Sequence, residues 1–365
     1  MQRVDCHHPT SARRESCVSD FAETHVLEDD TRRADASLAL WRIAPLLCAA
    51  AYPFLSQLLS WLLVVGHGSA SPDGLALWFG VAGSLLLAAG TMGVAFISAG
   101  SQADFRSRAA AHLVFATPSL FVGFGNAANL LHSPELAAIA WLIFWTAVLI
   151  VVLVPRKTRM PAARLGPAGY RRLQIAHGIS ASLILVLFVA PHLANHTAGL
   201  FSGSAHIAFM KEARELYRAA IFEPLLLTLI GFQIASGTVL VRRRLRNGSD
   251  FFGTLQTMTG VYVGIYFLAH LIAVFGARYA GTDTNWNWLT NNDRSMLASL
   301  STLRLIAHYW FGPIAIATHL GCGARLVLRE HNKARLADLA PRLAAGAGVV
   351  ISSLILVALL GVHVG

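Results

Sequence analysis

The chain has 365 residues, of which 55% are hydrophobic and only 13% are charged, and its formal net charge is +10 at pH 7. Soluble domains carry about 25% charged residues, so this composition excludes an ordinary soluble protein and predicts an all-α, polytopic membrane protein. The basic residues concentrate in every second connection between apolar stretches, which indicates membrane topology rather than nucleic-acid binding. The chain has no motif of a base-reading module, so we predict no nucleic-acid partner.

Residues 1–37 differ in character from the rest of the chain. They mix arginines with acidic residues and contain no apolar run with a cleavage site, so we predict a disordered cytoplasmic tail rather than a signal peptide. Cys6, His7 and His8 stand together there, an arrangement that is more often a chance surface group than a metal site. The remaining cysteines form no C-x-x-C spacing, so the sequence predicts neither a disulfide framework nor a zinc or iron–sulfur site.

Nine apolar stretches follow, which we predict to cross about 30 Å of hydrocarbon as membrane spans. They cover residues 38–65, 75–98, 110–131, 136–154, 175–200, 219–241, 255–277, 303–328 and 343–364. A basic linker rich in Pro and Gly, residues 156–173, divides a four-helix transmembrane region at 38–155 from a five-helix domain at 174–365. The basic connections predict a protein of the bacterial inner membrane, with its N-terminus in the cytoplasm and its C-terminus outside.

Two histidines lie deep in apolar stretches of the second half. His192 belongs to the segment RRLQIAHGISASLILVLFVAPHLANH and His270 to LQTMTGVYVGIYFLAHL. An imidazole in hydrocarbon is costly unless it has a partner or a function, and the predicted topology puts both rings in the outer half of the bilayer. Two histidines at matching depth on neighbouring helices are what a membrane haem needs to hold its iron. We predict that His192 and His270 ligate haem iron; the alternative is a pair of structural histidines.

Four other residues are further candidates for a cofactor site. His196 lies one turn beyond His192 and is the alternative ligand. His177 precedes His192 by fifteen residues, about 22 Å along a helix, where it could contact a haem propionate or a quinone oxygen, or simply lie at the interface. His319 lies near the inner end of the eighth span, and Gln233 lies at a comparable depth in the sixth.

The remaining polar residues of the spans have simpler interpretations. We expect His308 to be a hydrogen-bonded histidine of the bundle. Glu223 is either a proton-handling carboxylate or an interfacial acid. Trp286 and Trp288 are typical of an aromatic belt at the outer interface.

At these residues the chain resembles the cytochrome b membrane subunits of the succinate dehydrogenase and fumarate reductase family, especially the single-chain, five-helix, two-haem type. The family's pattern of an Arg-Arg-Leu start, a His near the inner end and a ligand His fifteen residues later is matched by Arg171, Arg172, Leu173, His177 and His192. Its Leu-Gln-x-x-Thr-Gly run with a later ligand His is matched by Leu255, Gln256, Thr259, Gly260 and His270, and its His-x-x-x-Gly by His319 and Gly323. The resemblance covers roughly residues 171–329.

The resemblance implies a haem b between the first and third helices of the five-helix domain, held by His192 and His270. It implies a second haem between the second and fourth helices, with His319 as one ligand, but the expected histidine of the second helix is Gln233 here. Either the inner haem is lost, or His177 or another group replaces the missing ligand, and we favour one haem over two. The four extra N-terminal helices are a second departure from the family.

Together these features predict a transmembrane b-type cytochrome that passes electrons between quinone or a periplasmic donor and a cytoplasmic redox partner. The chain has no flavin or dinucleotide fingerprint, so dehydrogenase chemistry would belong to separate flavoprotein and iron–sulfur subunits. One alternative is a haem-free membrane anchor or sensor scaffold for a soluble partner. A transporter is another, although we expect the spans to lack the acidic residues and broken helices that mark a transport path.

Overall fold

Helices make up nearly all of the computed structural model, which describes residues 40–63, 65, 74–101, 104–154, 165–290 and 302–364. Within these described residues, eight helices are long and apolar enough to cross a membrane, or nine if one bent pair counts as a single span. The prediction of an all-α polytopic membrane protein is confirmed. The predicted tail with Cys6, His7 and His8, and residues 156–164 of the basic linker, lie outside the described residues.

The helices follow the predicted spans with shifted ends. They are α1 Leu40–Leu63, α2 Gly74–Ser101, α3 Phe105–Phe115, α4 Thr117–Leu130, α5 Leu136–Leu153, α6 Pro167–Ile184, α7 Ala190–Ala198, α8 Gly203–Tyr217, α9 Phe222–Asn247, α10 Phe251–Tyr279, α11 Trp286–Thr290, α12 Leu303–Glu330 and α13 Ala334–Leu359. The short helices α8 and α11 lie between spans and were not predicted.

The third predicted span is broken, so the expectation of unbroken helices was wrong there. Helices α3 and α4 meet at Ala116 with a bend of 70°. Pro118 has no backbone N–H, and its ring would clash with the preceding turn of a continuous helix, which explains the break. Ala116 and Thr117 are fully buried, so the freed backbone at the break is covered by protein.

The fifth span is continuous but irregular. It runs from Pro167 through α6, a π-helical turn at Leu185–Val189 and α7 to Ala198. Pro191 explains the irregularity, because a proline removes one backbone hydrogen bond and needs room for its ring, and a wider π turn supplies that room. The span begins eight residues earlier than predicted because Pro167 is favourable in the first turn of a helix.

The N-terminal helices share a hydrophobic core with the helices that carry the candidate histidines. Tyr52 and Trp141, from α1 and α5, belong to one buried cluster with Met258 and Tyr262 of α10. A second cluster joins α12 and α13 through residues such as Ile306 and Leu359. The two groups of spans therefore pack against each other directly.

The third core lies among α6, α9 and α10. Ile184, Val189, Leu226 and Ile230 are buried there, with Phe267 of α10 packed against them. These apolar contacts set the positions of the helices that bear His177, His192 and His270.

One end of the bundle is rich in arginine and is the end predicted to be cytoplasmic. Asp104 caps α3 by accepting hydrogen bonds from the backbone N–H groups of Arg106 and Ser107. Burial opposes ionisation of this carboxyl, but the hydrogen bonds from Ser107 and Arg106 and the charge of Arg42 outweigh it, so the pKa of Asp104 is lowered. Asp250 caps α10 in the same way, from Gly253.

The opposite end is covered in part by α8. Ser202 caps this helix through its hydroxyl, and Arg214 pairs with Asp283 at 2.6 Å. His206 of α8 is 3% exposed, and its ring centre lies 4.7 Å from that of Trp286 on α11. Trp286 is itself 2% exposed, so its assignment to an aromatic belt was wrong. Trp288, by contrast, is exposed.

Candidate functional site

The rings of His192 on α7 and His270 on α10 form a pair inside the bundle. Their centres lie 6.1 Å apart and their planes are inclined at 72°. Both side chains are half-buried. The structure thus brings the two predicted haem ligands together from neighbouring helices. His192 and His270 are called the outer pair below.

Each ring of this outer pair is supported by an aromatic side chain one turn earlier on its own helix. Phe188 stacks on His192 with centres 5.0 Å apart, and Tyr266 lies parallel to His270 at 6.1 Å. Tyr266 also contacts His308, at 4.5 Å between ring centres. A Cβ at Gly312 would collide with the Tyr266 ring, so the glycine of α12 makes this placement possible. The spacing of the pair is fixed by packing on both helices.

His196 extends the outer pair toward α8. Its ring centre lies 4.7 Å from that of His192 and 5.2 Å from that of His206. Asn195 donates its side-chain N–H to Nε2 of His206 at 3.3 Å. Burial, helped by the charge of Arg214, lowers the pKa of His206 to about 4, so this ring is neutral at pH 7. The contacts of His206 with this cluster were not predicted, because α8 has no sequence signature beyond its serine cap.

A second pair of histidines, called the inner pair below, lies nearer the basic end of the bundle. The rings of His177 on α6 and His319 on α12 have centres 6.3 Å apart and planes inclined at 81°. The Nδ1 atom of His177 lies 2.8 Å from the Ser236 hydroxyl, and the Nδ1 atom of His319 lies 2.9 Å from the carbonyl oxygen of Gln256. Both rings are half-buried.

Gln233 lies beside this inner pair. Its side-chain N–H donates to the backbone carbonyl of His177 at 2.7 Å and to the hydroxyl of Ser180. Gln233 therefore joins α9 to α6 next to His177. Ser236, one turn away on the same helix, was not predicted. A second polar residue at helical spacing from Gln233 is the signal that could have found it.

Two glycines leave room for the rings of the inner pair. A Cβ at Gly260 would lie 2.8 Å from Cε1 and 3.0 Å from Nδ1 of His319, closer than packed atoms tolerate. A Cβ at Gly237 would lie 3.5 Å from Cε1 of His177, an ordinary contact. The close approach of His319 to α10 thus depends on the missing side chain at Gly260.

The other polar residues of the spans have structural partners. His308 is 1% exposed, and its Nδ1 lies 3.1 Å from the Ser119 hydroxyl, which agrees with a bundle histidine. His112 donates from Nδ1 to the carbonyl of Arg108 at 2.7 Å. Glu223 forms an ion pair with Arg278, so this carboxylate has a structural partner.

The ring-centre distances of both pairs are compatible with a metal ion held between two imidazoles. An imidazole nitrogen lies about 2 Å from its metal and the ring centre about 1 Å further, so two imidazoles that held one metal ion between them would have their centres about 6 Å apart. A pair supplies only two ligands, and in haem the macrocycle supplies the other four. Among the described residues, no group of three or more His, Cys, Asp or Glu side chains is arranged to hold a metal ion by itself.

No family model, curated protein or solved structure matches the chain. The function is therefore argued from the residues and their geometry.

Proposed function

We propose that this chain is a transmembrane b-type cytochrome whose outer haem is held by His192 and His270. The observation that carries the proposal is the 6.1 Å separation of these two rings across neighbouring helices. It supports a role as an electron-transfer and anchor subunit of an oxidoreductase complex in the bacterial inner membrane, like the cytochromes of succinate dehydrogenase and fumarate reductase. When bound, haem supplies one-electron chemistry, and the protein sets its potential through ligands and surroundings.

The residues of the outer pair are suited to that task in three ways. Stacking of Phe188 and Tyr266 on the two imidazoles restricts their rotation, which keeps the ligand spacing constant when the charge of the site changes. The surrounding apolar helices lower the local dielectric, so a change of charge at the site is strongly felt. The pair is split between α7 and α10, so the site forms only when these helices are docked.

The basic end of the bundle supports docking of a soluble redox partner. Helix α9 ends with Arg242, Arg243, Arg244 and Arg246, and Arg171 and Arg329 lie on the same predicted cytoplasmic side. Such a surface attracts an acidic partner and speeds its association. We assign it to a flavoprotein or iron–sulfur subunit.

A quinone is the proposed membrane partner, near the outer pair. A quinone carbonyl in an apolar site needs a hydrogen-bond donor. Asn195 donates to Nε2 of His206, so the ring hydrogen is on Nδ1, and within the described part of the chain that Nδ1 has no hydrogen-bond partner. His206 thus has a buried N–H that is without an acceptor among the described residues, next to His196 and His192. We expect His206→Phe to slow haem reduction by a soluble quinol while leaving reduction by dithionite unchanged, and equal quinol rates would exclude this placement.

The proposal is tested by the absorption spectrum of the full chain purified in mild detergent. We expect a reduced-minus-oxidised spectrum of low-spin haem b, with haem quantified per chain after extraction. His192→Ala and His270→Ala should each abolish the same spectral component. His331→Ala is the matched control, because His331 is exposed at the basic end and should leave the spectrum intact.

Protein that is folded but has no haem under any purification condition would contradict the proposal. That result would favour a haem-free anchor or scaffold, in which the histidines make hydrogen bonds within the bundle.

A further inference from the structure

The inner pair bears on an alternative that the sequence left open, namely that His177 replaces the ligand missing at Gln233. The missing histidine at Gln233 left the inner site one ligand short. The structure instead places His177 of α6 opposite His319, at 6.3 Å between ring centres. This value is within a few tenths of an ångström of the outer pair's 6.1 Å. Both distances are those that two imidazoles would have if they held one metal ion between them.

Hydrogen bonding determines which ring nitrogen of His319 has a lone pair available for a metal ion. A carbonyl oxygen can only accept, so the Nδ1 of His319 must carry the hydrogen that it donates to Gln256. In the neutral ring, Nε2 then has a free lone pair. A ligating histidine typically donates its other N–H to a carbonyl or carboxylate in this way, which sets the tautomer and the ring orientation.

The same reasoning applies to His177. The Ser236 hydroxyl has one hydrogen, and its oxygen lies 2.6 Å from the carbonyl of Phe232 on the same helix, where only donation is chemically sensible. Its oxygen therefore accepts from Nδ1 of His177 at 2.8 Å. His177 also keeps a free lone pair on Nε2.

Gln233 has a supporting function in this arrangement. Its two amide hydrogens are donated to the His177 carbonyl and to Ser180, and an amide nitrogen has no lone pair for a metal. The residue in the position of the missing ligand thus holds α6 in place, and with it the backbone of the replacement ligand. Gln233 is a positioning residue.

We propose that His177 and His319 hold a second haem. Its two ligands then come from the first and fourth helices of the five-helix domain instead of the second and fourth. The inference rests on the proposed function. Since His177 precedes His192 by fifteen residues, about 22 Å of helix separates the two sites along the span. The chain would then hold one haem in each half of the bilayer, and electrons could cross the membrane within a single chain.

The first test is haem stoichiometry in the full-length, detergent-purified chain. We expect two haems per chain, one after His177→Ala or His319→Ala, one after His192→Ala, and none after His177→Ala combined with His192→Ala. His331→Ala should keep both. Size-exclusion chromatography and circular dichroism of each variant will show that a lost haem is not a lost fold.

The outcomes separate the two proposals. Two haems that both survive His177→Ala would overturn the ligand assignment, and so would a single haem that survives both His177→Ala and His319→Ala while depending on His192. In either case the outer cytochrome site would stand. No haem in the folded wild-type chain would contradict both proposals.

A ligand-competent substitution gives a readout that does not depend on losing the haem. Methionine also binds haem iron and raises its potential relative to histidine. His177→Met should therefore keep two haems and shift the midpoint potential of one of them upward, whereas His177→Leu should lose that haem. Ser236→Ala should keep both haems and shift the same component, because it removes the hydrogen bond to Nδ1. If His177→Met and His177→Leu both keep two haems with identical spectra and potentials, His177 is not a ligand.

Discussion

The side-chain amide of Asn126 on α4 donates a hydrogen bond of 3.0 Å to the backbone carbonyl of Ala269, the residue before His270. Ala269 shares one face of α10 with Met258 and Tyr262, which are buried against the N-terminal helices. Gly260 and Phe267 lie on the opposite face, toward the histidine pairs. The N-terminal spans thus pack against the face of α10 that points away from the histidine pairs, which gives the four additional spans a physical role.

Removal of the Asn126 amide should weaken this support. We expect Asn126→Ala to lower the free energy of unfolding by about 1 kcal/mol, the usual worth of one hydrogen bond, measured as a fall in the thermal midpoint in detergent. Asn129→Ala is the control, because Asn129 is exposed on the same helix. Equal midpoints for the two variants would show that the contact to Ala269 contributes nothing.

A methyl group at Gly260 should displace His319. The His319 ring has little freedom to move away, because its Nδ1 is hydrogen-bonded to the Gln256 carbonyl oxygen. Gly260→Ala should therefore destabilise the protein by about 1–3 kcal/mol, as overpacking usually does. It should also lower the content of the inner haem and leave the outer haem in place. Gly231→Ala is the matched control: its Cβ would meet no atom within 4 Å, and replacing a helical glycine there should stabilise by about 0.5–1 kcal/mol. Gly260→Ala protein with wild-type stability and haem content would contradict the predicted contact.

The Asp250 carboxylate should stabilise the fold only while it is ionised. Burial raises its pKa, but the N–H of Gly253 and the charges of Arg325 and Arg244 outweigh that effect and lower it below 3.8. A depressed folded pKa means that the stabilisation is present at neutral pH and is lost as the pH falls below about 4, through the folded pKa. Asp250→Asn keeps the helix cap but loses the charge, so it should cost about 0.5–1 kcal/mol at pH 7.

The corresponding measurement is thermal unfolding of wild type and Asp250→Asn from pH 7 to pH 3. The gap between their midpoints should close toward the acidic end. Glu135→Gln removes an exposed carboxylate that forms no ion pair within the described residues and should track the wild type throughout. A difference between the two midpoints that stays constant with pH would mean that the charge of Asp250 does not stabilise the fold.

His206 should make stability depend on pH in a higher range. Its pKa is lowered to about 4 in the folded protein, first by burial and then by the charge of Arg214, against about 6.5 when unfolded. Between these values the unfolded chain takes up a proton that the folded chain refuses, so stability is full above pH 6.5 and falls as the pH drops toward 4. The limit for one such group is about 1.4 kcal/mol per pH unit.

Thermal midpoints between pH 7.5 and pH 4 test this prediction. The wild type should lose stability more steeply than His206→Gln, which cannot bind the proton, and the two curves should run parallel above pH 6.5. Parallel curves over the whole range would show that His206 is protonated equally in both states.

Several features could be predicted from the sequence because they depend on local composition or spacing. Long apolar stretches with few charges predicted the spans, since hydrocarbon tolerates little else. The costly placement of His192 and His270 in such stretches predicted that they need a partner. Three features were not predicted from the sequence: Pro118 breaks a span that looked continuous, α8 forms between two spans, and Trp286 is buried.

The sequence by itself determined that this is a helical membrane protein, and that its histidines are concentrated in the last five spans. Only the tertiary structure decided which rings face each other. The pairing of His177 with His319 depends on the rotation of α6 and α12 about their axes, on the Ser236 hydrogen bond and on the absence of a side chain at Gly260. These contacts join residues far apart in the chain, and a periodic apolar pattern fixes helix length and depth in the membrane but not the partner of each helix face.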